Sequence, residues 1–175
     1  MNSVFYYKTC VGVIGIADNG KAITGLFFAG DGRLNPDVSG SLKETPLIRE
    51  AAFQLSEYFA GKRKAFDIPL DMKGTPFQLA VWKALSGIPY GETSSYKEIS
   101  ESIGRARAYR AVGMACNRNP VAIIVPCHRV IGSDGSMTGF ASGVGIKEKL
   151  LELEKRYSNH RTGTNPNGGG NSNES

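Results

Sequence analysis

Residues Asn119-Pro120-Val121-Ala122-Ile123-Ile124-Val125-Pro126-Cys127-His128-Arg129-Val130-Ile131-Gly132 join an unbroken apolar run to a proline, a thiol, an imidazole and a guanidinium. The run from Val121 to Val125 is dominated by β-branched side chains and predicts a buried extended segment. Pro126 then turns the backbone and holds Cys127 at a fixed point rather than on a mobile tip. Cys127 has two readings. Free cysteine commonly packs as a small hydrophobe, but a thiol beside an imidazole at the end of a buried segment also makes a nucleophile and base. His128 and Arg129 are costly to place beside a core segment unless they have a task, which favours the second reading.

Outward from this stretch, charge is unevenly spread. The chain has 175 residues and a net charge of +5. No Asp or Glu occurs between Glu101 and Asp134, whereas Arg105, Arg107, Arg110, Arg118 and Arg129 all lie there. Such an all-arginine block suits a nucleic-acid surface, the alternative being a solvated basic face. With 41% hydrophobic residues the chain can build a real core and is not a disordered class. No apolar run approaches membrane-spanning length, and the start lacks the basic and apolar regions of a signal peptide. Cys10, Cys116 and Cys127 have no CxxC spacing, which argues against a disulfide framework and for a reducing, cytoplasmic setting. With two histidines and three scattered cysteines, no metal site is expected.

Two domains are expected, of α+β class, with boundaries at 1–73 and 74–157. Residues 4–28 read as a β-meander with a turn at Asp18-Asn19-Gly20-Lys21. Residues 30–43 read as a loop. Thr45-Pro46 starts a helix whose apolar positions run from Leu47 to Phe59 and which Gly61 ends. Phe66 to Leu70 predicts one more short strand. Beyond residue 74 the texture changes to short capped helices. Thr75-Pro76-Phe77-Gln78 and Ser95-Tyr96-Lys97-Glu98 are capping boxes, and a further helix is expected from about Arg107 to Asn117. Two short helices around a Gly-containing turn, the second rich in Arg with small Ala106, Ala108, Ala111 and Gly113, have the pattern of a helix-turn-helix. A last amphipathic helix carries Ile146, Leu150, Leu153 and Tyr157 on one face, with Glu148 on another side. Residues 158–175 read as a disordered tail.

Ser95-Tyr96, Arg110-Ala111-Val112-Gly113, Asn119-Pro120, Pro126-Cys127-His128-Arg129-Val130 and Lys147-Glu148 resemble, in order and spacing over about residues 75 to 155, the O6-alkylguanine-DNA alkyltransferase family. The resemblance implies a small ribonuclease-H-like α/β domain followed by a mostly helical winged-helix or helix-turn-helix domain. It implies a DNA repair protein that flips O6-alkylguanine, and O4-alkylthymine, out of duplex DNA and moves the alkyl group irreversibly to Cys127. No cofactor, no membrane and a monomer are implied. His128 would take the thiol proton through a water, Glu148 would orient the imidazole, and Asn119 would tie the Cys segment to the helix-turn-helix. Arg110 would fill the space left by the flipped nucleotide. Tyr96 would press on a phosphate and help guanine leave. Ser94, Ser95, Arg107, Ala108 and Arg129 would contact DNA. Val130, Phe140, Ala141, Ser142 and Cys116 would line the pocket, with Phe140 and Ser142 where the family often has Tyr and Gly.

Two other functional classes fit the residues less fully. A cysteine hydrolase or acyltransferase using Cys127, His128 and Glu148 would turn over and would not need the Arg-rich helix. A non-catalytic DNA-binding module would not need the thiol.

Overall fold

The computed structural model describes residues 2–30, 40–137, 140 and 142–159. The expected tail beyond Asn159 and the pocket residue Ala141 lie outside the described residues.

The meander expected over residues 4–28 forms. Strands β1 (Ser3–Thr9), β2 (Gly12–Asp18) and β3 (Ile23–Phe28) pair antiparallel, and the two-residue β4 (Ser41–Leu42) lies parallel to β1. The strand order is β3-β2-β1-β4. At the second turn the Asn19 side chain accepts the N–H groups of Lys21 and Ala22, the local bonding that makes Asn a turn former. Helix α1 (Pro46–Phe59) starts where Thr45 Oγ1 accepts the Ile48 N–H at 3.1 Å. It buries Ile48, Ala51, Leu55 and Tyr58 in the core that also holds Ile14, Ile16, Leu26 and Phe28 of the sheet. Each buried Ile, Leu or Phe among them contributes roughly 1.5–3 kcal/mol of transfer free energy.

The free edge of β3 is where the two halves meet. Leu70 makes an isolated parallel bridge to Ile23, and Val121 makes another to Leu26. The strand expected over Phe66 to Leu70 is thus reduced to one bridge. Pro69 interrupts the ladder, since it accepts from Ile23 but has no N–H to give.

The second half contains α2 (Pro76–Ser86), β5 (Ser94–Ser95), α3 (Tyr96–Ser102), α4 (Tyr109–Asn117), a 3-10 turn (Cys127–Arg129), β6 (Val130–Ile131) and α5 (Val144–Ser158). Both expected capping boxes form, at Thr75/Gln78 and Ser95/Glu98. α3 and α4 make the helix-turn-helix, and the buried Trp82 of α2 donates from its indole to Ala115 O at 2.9 Å. α4 begins two residues later than Arg107, because Arg107 takes the left-handed conformation (φ 71°) that no α-helical turn contains. Strand β6 lies parallel to β5, so the segment that follows Cys127 is tied directly to the entry of the helix-turn-helix.

Candidate active site

The apolar run before Cys127 is buried as expected, but it is not extended throughout. Val121 is held to the β3 edge, with Leu26 N donating to Pro120 O and Ala122 N donating to Leu26 O. The chain then reverses: Val125 N donates to Val121 O at 3.0 Å, with Ile123 in the left-handed region at φ 69°. A buried β-branched residue in that conformation is strained by order 1–3 kcal/mol, and surrounding structure must hold it there. Asn119 supplies part of the hold. Buried itself, it accepts the Val121 N–H at 3.0 Å and donates Nδ2–H to Val125 O at 2.8 Å, clamping both ends of the reversal. It fixes the Cys segment just after α4, the region where a tie to the helix-turn-helix was expected.

Pro126 (φ −83°, ψ 63°) is the centre of an inverse γ-turn in which Cys127 N donates to Val125 O at 2.9 Å. This places Cys127, only 6% exposed, at the head of the 3-10 turn. His128 and Arg129 follow, both buried.

The carboxylate that meets His128 is Glu154, not Glu148. His128 Nε2 lies 2.8 Å from Glu154 Oε1, and both side chains are fully buried. Glu148 is exposed on the other side of α5. Helical geometry explains the correction. Lys147, Leu150 and Glu154 form the buried stripe of α5, and residue 148 projects about 100° away from residue 147. Glu154 stands four residues after core residue Leu150, and a carboxylate inside an apolar stripe is the signal that identifies it from sequence.

Arg129 is also reassigned. Its guanidinium donates Nε–H to Glu154 Oε2 at 2.9 Å, Nη2–H to Glu154 Oε1 at 2.8 Å and Nη1–H to Ile88 O at 2.7 Å. It lies 5.7 Å from the Tyr90 ring centroid. A buried guanidinium so committed cannot reach DNA, so Arg129 supports the site from within.

Two more donors converge on Glu154: Tyr58 OH to Oε1 at 2.8 Å, and Gly91 N–H to Oε2 at 3.2 Å. Gly91 is at φ 79°, and a Cβ there would come within 2.0 Å of Ser158 Oγ, so the approach needs glycine. Burial alone would raise the Glu154 pKa, but the hydrogen bonds from His128 and Arg129, with the Arg129 charge, outweigh it and bring the carboxyl down to about 2. Burial pushes His128 the other way, below its usual value, against the pull of Glu154. The imidazole is therefore neutral at neutral pH, with its Nε2–H directed at a carboxylate. Nδ1 has no hydrogen-bond partner among the described residues, leaving its lone pair available.

Lys147 extends the site in a way sequence patterning did not reveal. The side chain is buried and its Nζ donates to Val130 O, which spaces the end of the 3-10 turn from α5. It also lies 5.9 Å from the Tyr96 ring centroid. Half-buried Tyr96 is pushed up to about 12 by burial, with charge on Cys116 and Cys127 adding to the shift, so its phenol stays protonated. Burial, and then charge on Cys127, also push the Cys116 thiol up. Cys116 and buried Val130 thus share the neighbourhood of Cys127, Tyr96 and Lys147. Phe140 packs edge-on against Phe28 of β3 at 6.2 Å. Ser142 is half-buried just before α5.

On α4, Arg110 is exposed, as are Ala106 and Arg107 before it. Ala111 is exposed too, with Tyr109 at 50% and Met114 at 59%. Ala108 is half-buried and caps α4. The hydroxyls of Ser94 and Ser95 are both engaged by Glu98, Ser94 donating to its carboxylate and Ser95 accepting its N–H.

The chain matches two family models, the ribonuclease-like domain of 6-O-methylguanine DNA methyltransferase over residues 4–72 and its DNA binding domain over residues 76–156. Among curated proteins, the methylated-DNA--protein-cysteine methyltransferase of Methanosarcina barkeri is 56% identical, covering 83% of this chain and 92% of its own. The one from Mycobacterium leprae is 50% identical over 83% of this chain and 87% of its own. A crystal structure of the Mycobacterium tuberculosis O6-methylguanine methyltransferase superposes with a TM-score of 0.83 at 44% identity, covering 90% of this chain and 94% of that one. Another, of Mycobacterium tuberculosis OGT in complex with DNA, gives 0.82 at 43% identity over 89% and 94% of the two chains. With both domains matched in order and a buried Cys-His-Glu arrangement at the end of the helix-turn-helix half, this chain belongs to the 6-O-methylguanine DNA methyltransferase family.

Proposed function

We propose that this protein repairs O6-alkylguanine, and O4-alkylthymine, in duplex DNA by moving the alkyl group to Cys127, once per molecule. The observation that carries the reading is the buried His128–Glu154 contact at 2.8 Å, with Nδ1 of His128, unpartnered among the described residues, next in sequence to a buried thiol. His128 Nδ1 takes the thiol proton through a water, and Glu154 stabilises the imidazolium that results. The thiolate attacks the alkyl carbon, a C–S bond forms, and the bond between that carbon and guanine O6 breaks. The electron pair passes to the guanine, which Tyr96, protonated at neutral pH, steadies by a hydrogen bond. A thioether has no leaving group that this apparatus could hydrolyse, so the protein is consumed.

A base inside the stack cannot reach a buried thiol, so the nucleotide is flipped. The exposed face of α4 suits that task. Arg110 enters the stack, the small Ala106 and Ala111 allow close approach of the backbone, and exposed Tyr109 and Met114 give apolar contact in the minor groove. Arg107 and the backbone near Ser94, Ser95 and Ala108 meet phosphates. Val130, Phe140, Ser142 and Cys116 enclose the base. Residues 1–73 and 74–157 act as two domains of a cytoplasmic monomer that needs no cofactor.

Intact-protein mass spectrometry after incubation with excess duplex carrying one O6-methylguanine tests this reading. One methyl mass per chain, located on the Cys127 peptide and saturating at one equivalent, is expected. Cys127→Ala should retain DNA binding and accept nothing. Continued product formation beyond one equivalent would point instead to a hydrolase.

A further inference from the structure

The Glu154 carboxylate is fully buried, and one of its donors comes from the other half of the molecule. Tyr58, on α1, reaches Oε1 at 2.8 Å, across 96 positions of sequence. Oε1 is the same oxygen that meets His128 Nε2. Tyr58 is fully buried, its ring packed against Phe59, Phe66 and Tyr90 at 5.5, 5.6 and 6.0 Å. A phenylalanine would meet those packing needs equally well, so the hydroxyl has a purpose separate from filling space.

We propose that Tyr58 is a positioning residue for alkyl transfer: the ribonuclease-like domain, through this hydroxyl, fixes Glu154 and sets how strongly it polarises His128. The proposal rests on the reading of His128 as the base for Cys127. Physically, the phenol draws charge from Oε1 that would otherwise act on the imidazole, and it prevents the carboxylate from rotating away from Nε2. The groups facing this cluster are Arg129 and His128 from the 3-10 turn, Tyr90 before β5, Lys147 on α5, and Lys64, which lies over the Tyr90 ring at 5.2 Å. None of these others reaches the carboxylate from the ribonuclease-like domain.

The test uses the full chain with Tyr58→Phe and three measurements: the single-turnover transfer rate against pH on O6-methylguanine duplex, the thermal midpoint, and the imidazole 15N shift of His128. Only one other histidine, His160, competes for assignment. Loss of the donor leaves more charge on Glu154. The acid limb of the rate profile should therefore move to higher pH, the plateau rate should fall about tenfold, and the 15N signal should move toward the imidazolium value. Wild-type activity with an unmoved limb and unmoved 15N signal in Tyr58→Phe overturns the proposal, whatever happens to the thermal midpoint. A wild-type protein that takes up no methyl group overturns the repair reading itself, and the 15N response then still reports whether Tyr58 acts on His128. Fluorinated tyrosines at position 58 keep the ring and grade the donor strength if the phenylalanine variant does not fold. A limb that ignores the grading counts against the proposal.

Discussion

Replacing Glu154 with glutamine while testing Glu148→Gln beside it probes the centre of this site. Glu154 accepts from His128, Tyr58, Arg129 and Gly91. A glutamine can keep its oxygen in the Oε1 position, facing His128, Tyr58 and Arg129 Nη2. Its NH2 group then occupies the Oε2 position, where Arg129 Nε–H and Gly91 N–H both point, so donors face donors. The substitution also leaves the buried Arg129 guanidinium without its counter-charge. Breaking one partner of a buried ion pair costs about 3–5 kcal/mol. At about 2–4 °C per kcal/mol for a chain of this size, the thermal midpoint should drop by roughly 6–20 °C. The rate should drop as well, since the imidazolium formed in transfer loses its stabilising charge. Losses for orienting groups bracket the expectation at about 10²- to 10⁴-fold. Circular dichroism melts and quenched single-turnover transfer of a labelled methyl group read the two quantities. Glu148→Gln, on an exposed surface, should change the midpoint by less than about 0.5 kcal/mol equivalent and leave the rate alone. A large effect at Glu148 with little at Glu154 would refute the assignment of the acid.

Acid should destabilise the fold through the same cluster. Glu154 has a folded pKa near 2 against an ordinary 4.5, so its contribution is fully present above about pH 4.5 and is lost as pH falls toward 2. That shift corresponds to on the order of 3 kcal/mol. His128, held neutral by burial, adds a loss that begins once pH falls below its ordinary value. The urea midpoint should decline steadily from pH 7 to pH 3, and a flat or rising midpoint would contradict the cluster's role. Asn119→Ala should cost about 2–4 kcal/mol, because it unpairs the buried Val121 N–H and removes a donor from Val125 O. Transfer should slow even with free O6-alkylguanine as substrate, as the turn carrying Cys127 loosens. Arg110→Ala should behave oppositely, leaving reaction with the free base unchanged and slowing repair of duplex DNA. Equal loss on both substrates would remove Arg110 from the flipping step.

Much of this protein is legible from local patterns. The meander, α1 and the capping boxes at Thr75 and Ser95 follow from short-range rules, since each is decided by residues within a few positions of one another. The helix-turn-helix and the Pro-Cys-His-Arg block are local in the same sense. What local reading mistakes is also instructive. The apolar run over 121–125 has the composition of a strand, yet the Asn119 clamp folds it back on itself and forces Ile123 to a positive φ. The capping propensity of Asn119 suggests a turn but not its two partners.

The acid of the site lies at the boundary between the two kinds of knowledge. Periodicity alone puts Glu154 in the buried stripe of α5 with Leu150, and puts Glu148 outside it. Which buried cation meets that carboxylate depends on contacts spanning 25 residues to Arg129, 63 to Gly91 and 96 to Tyr58. The family, the Pro-Cys-His-Arg block and the Arg-rich second helix are all legible in short runs of residues. The inward turn of Arg129 and the reach of Tyr58 from α1 to Glu154 come from tertiary packing. Short-range order follows from backbone sterics and side-chain period, whereas the partner of a buried charge is chosen by which distant donors the packed core brings within hydrogen-bonding distance.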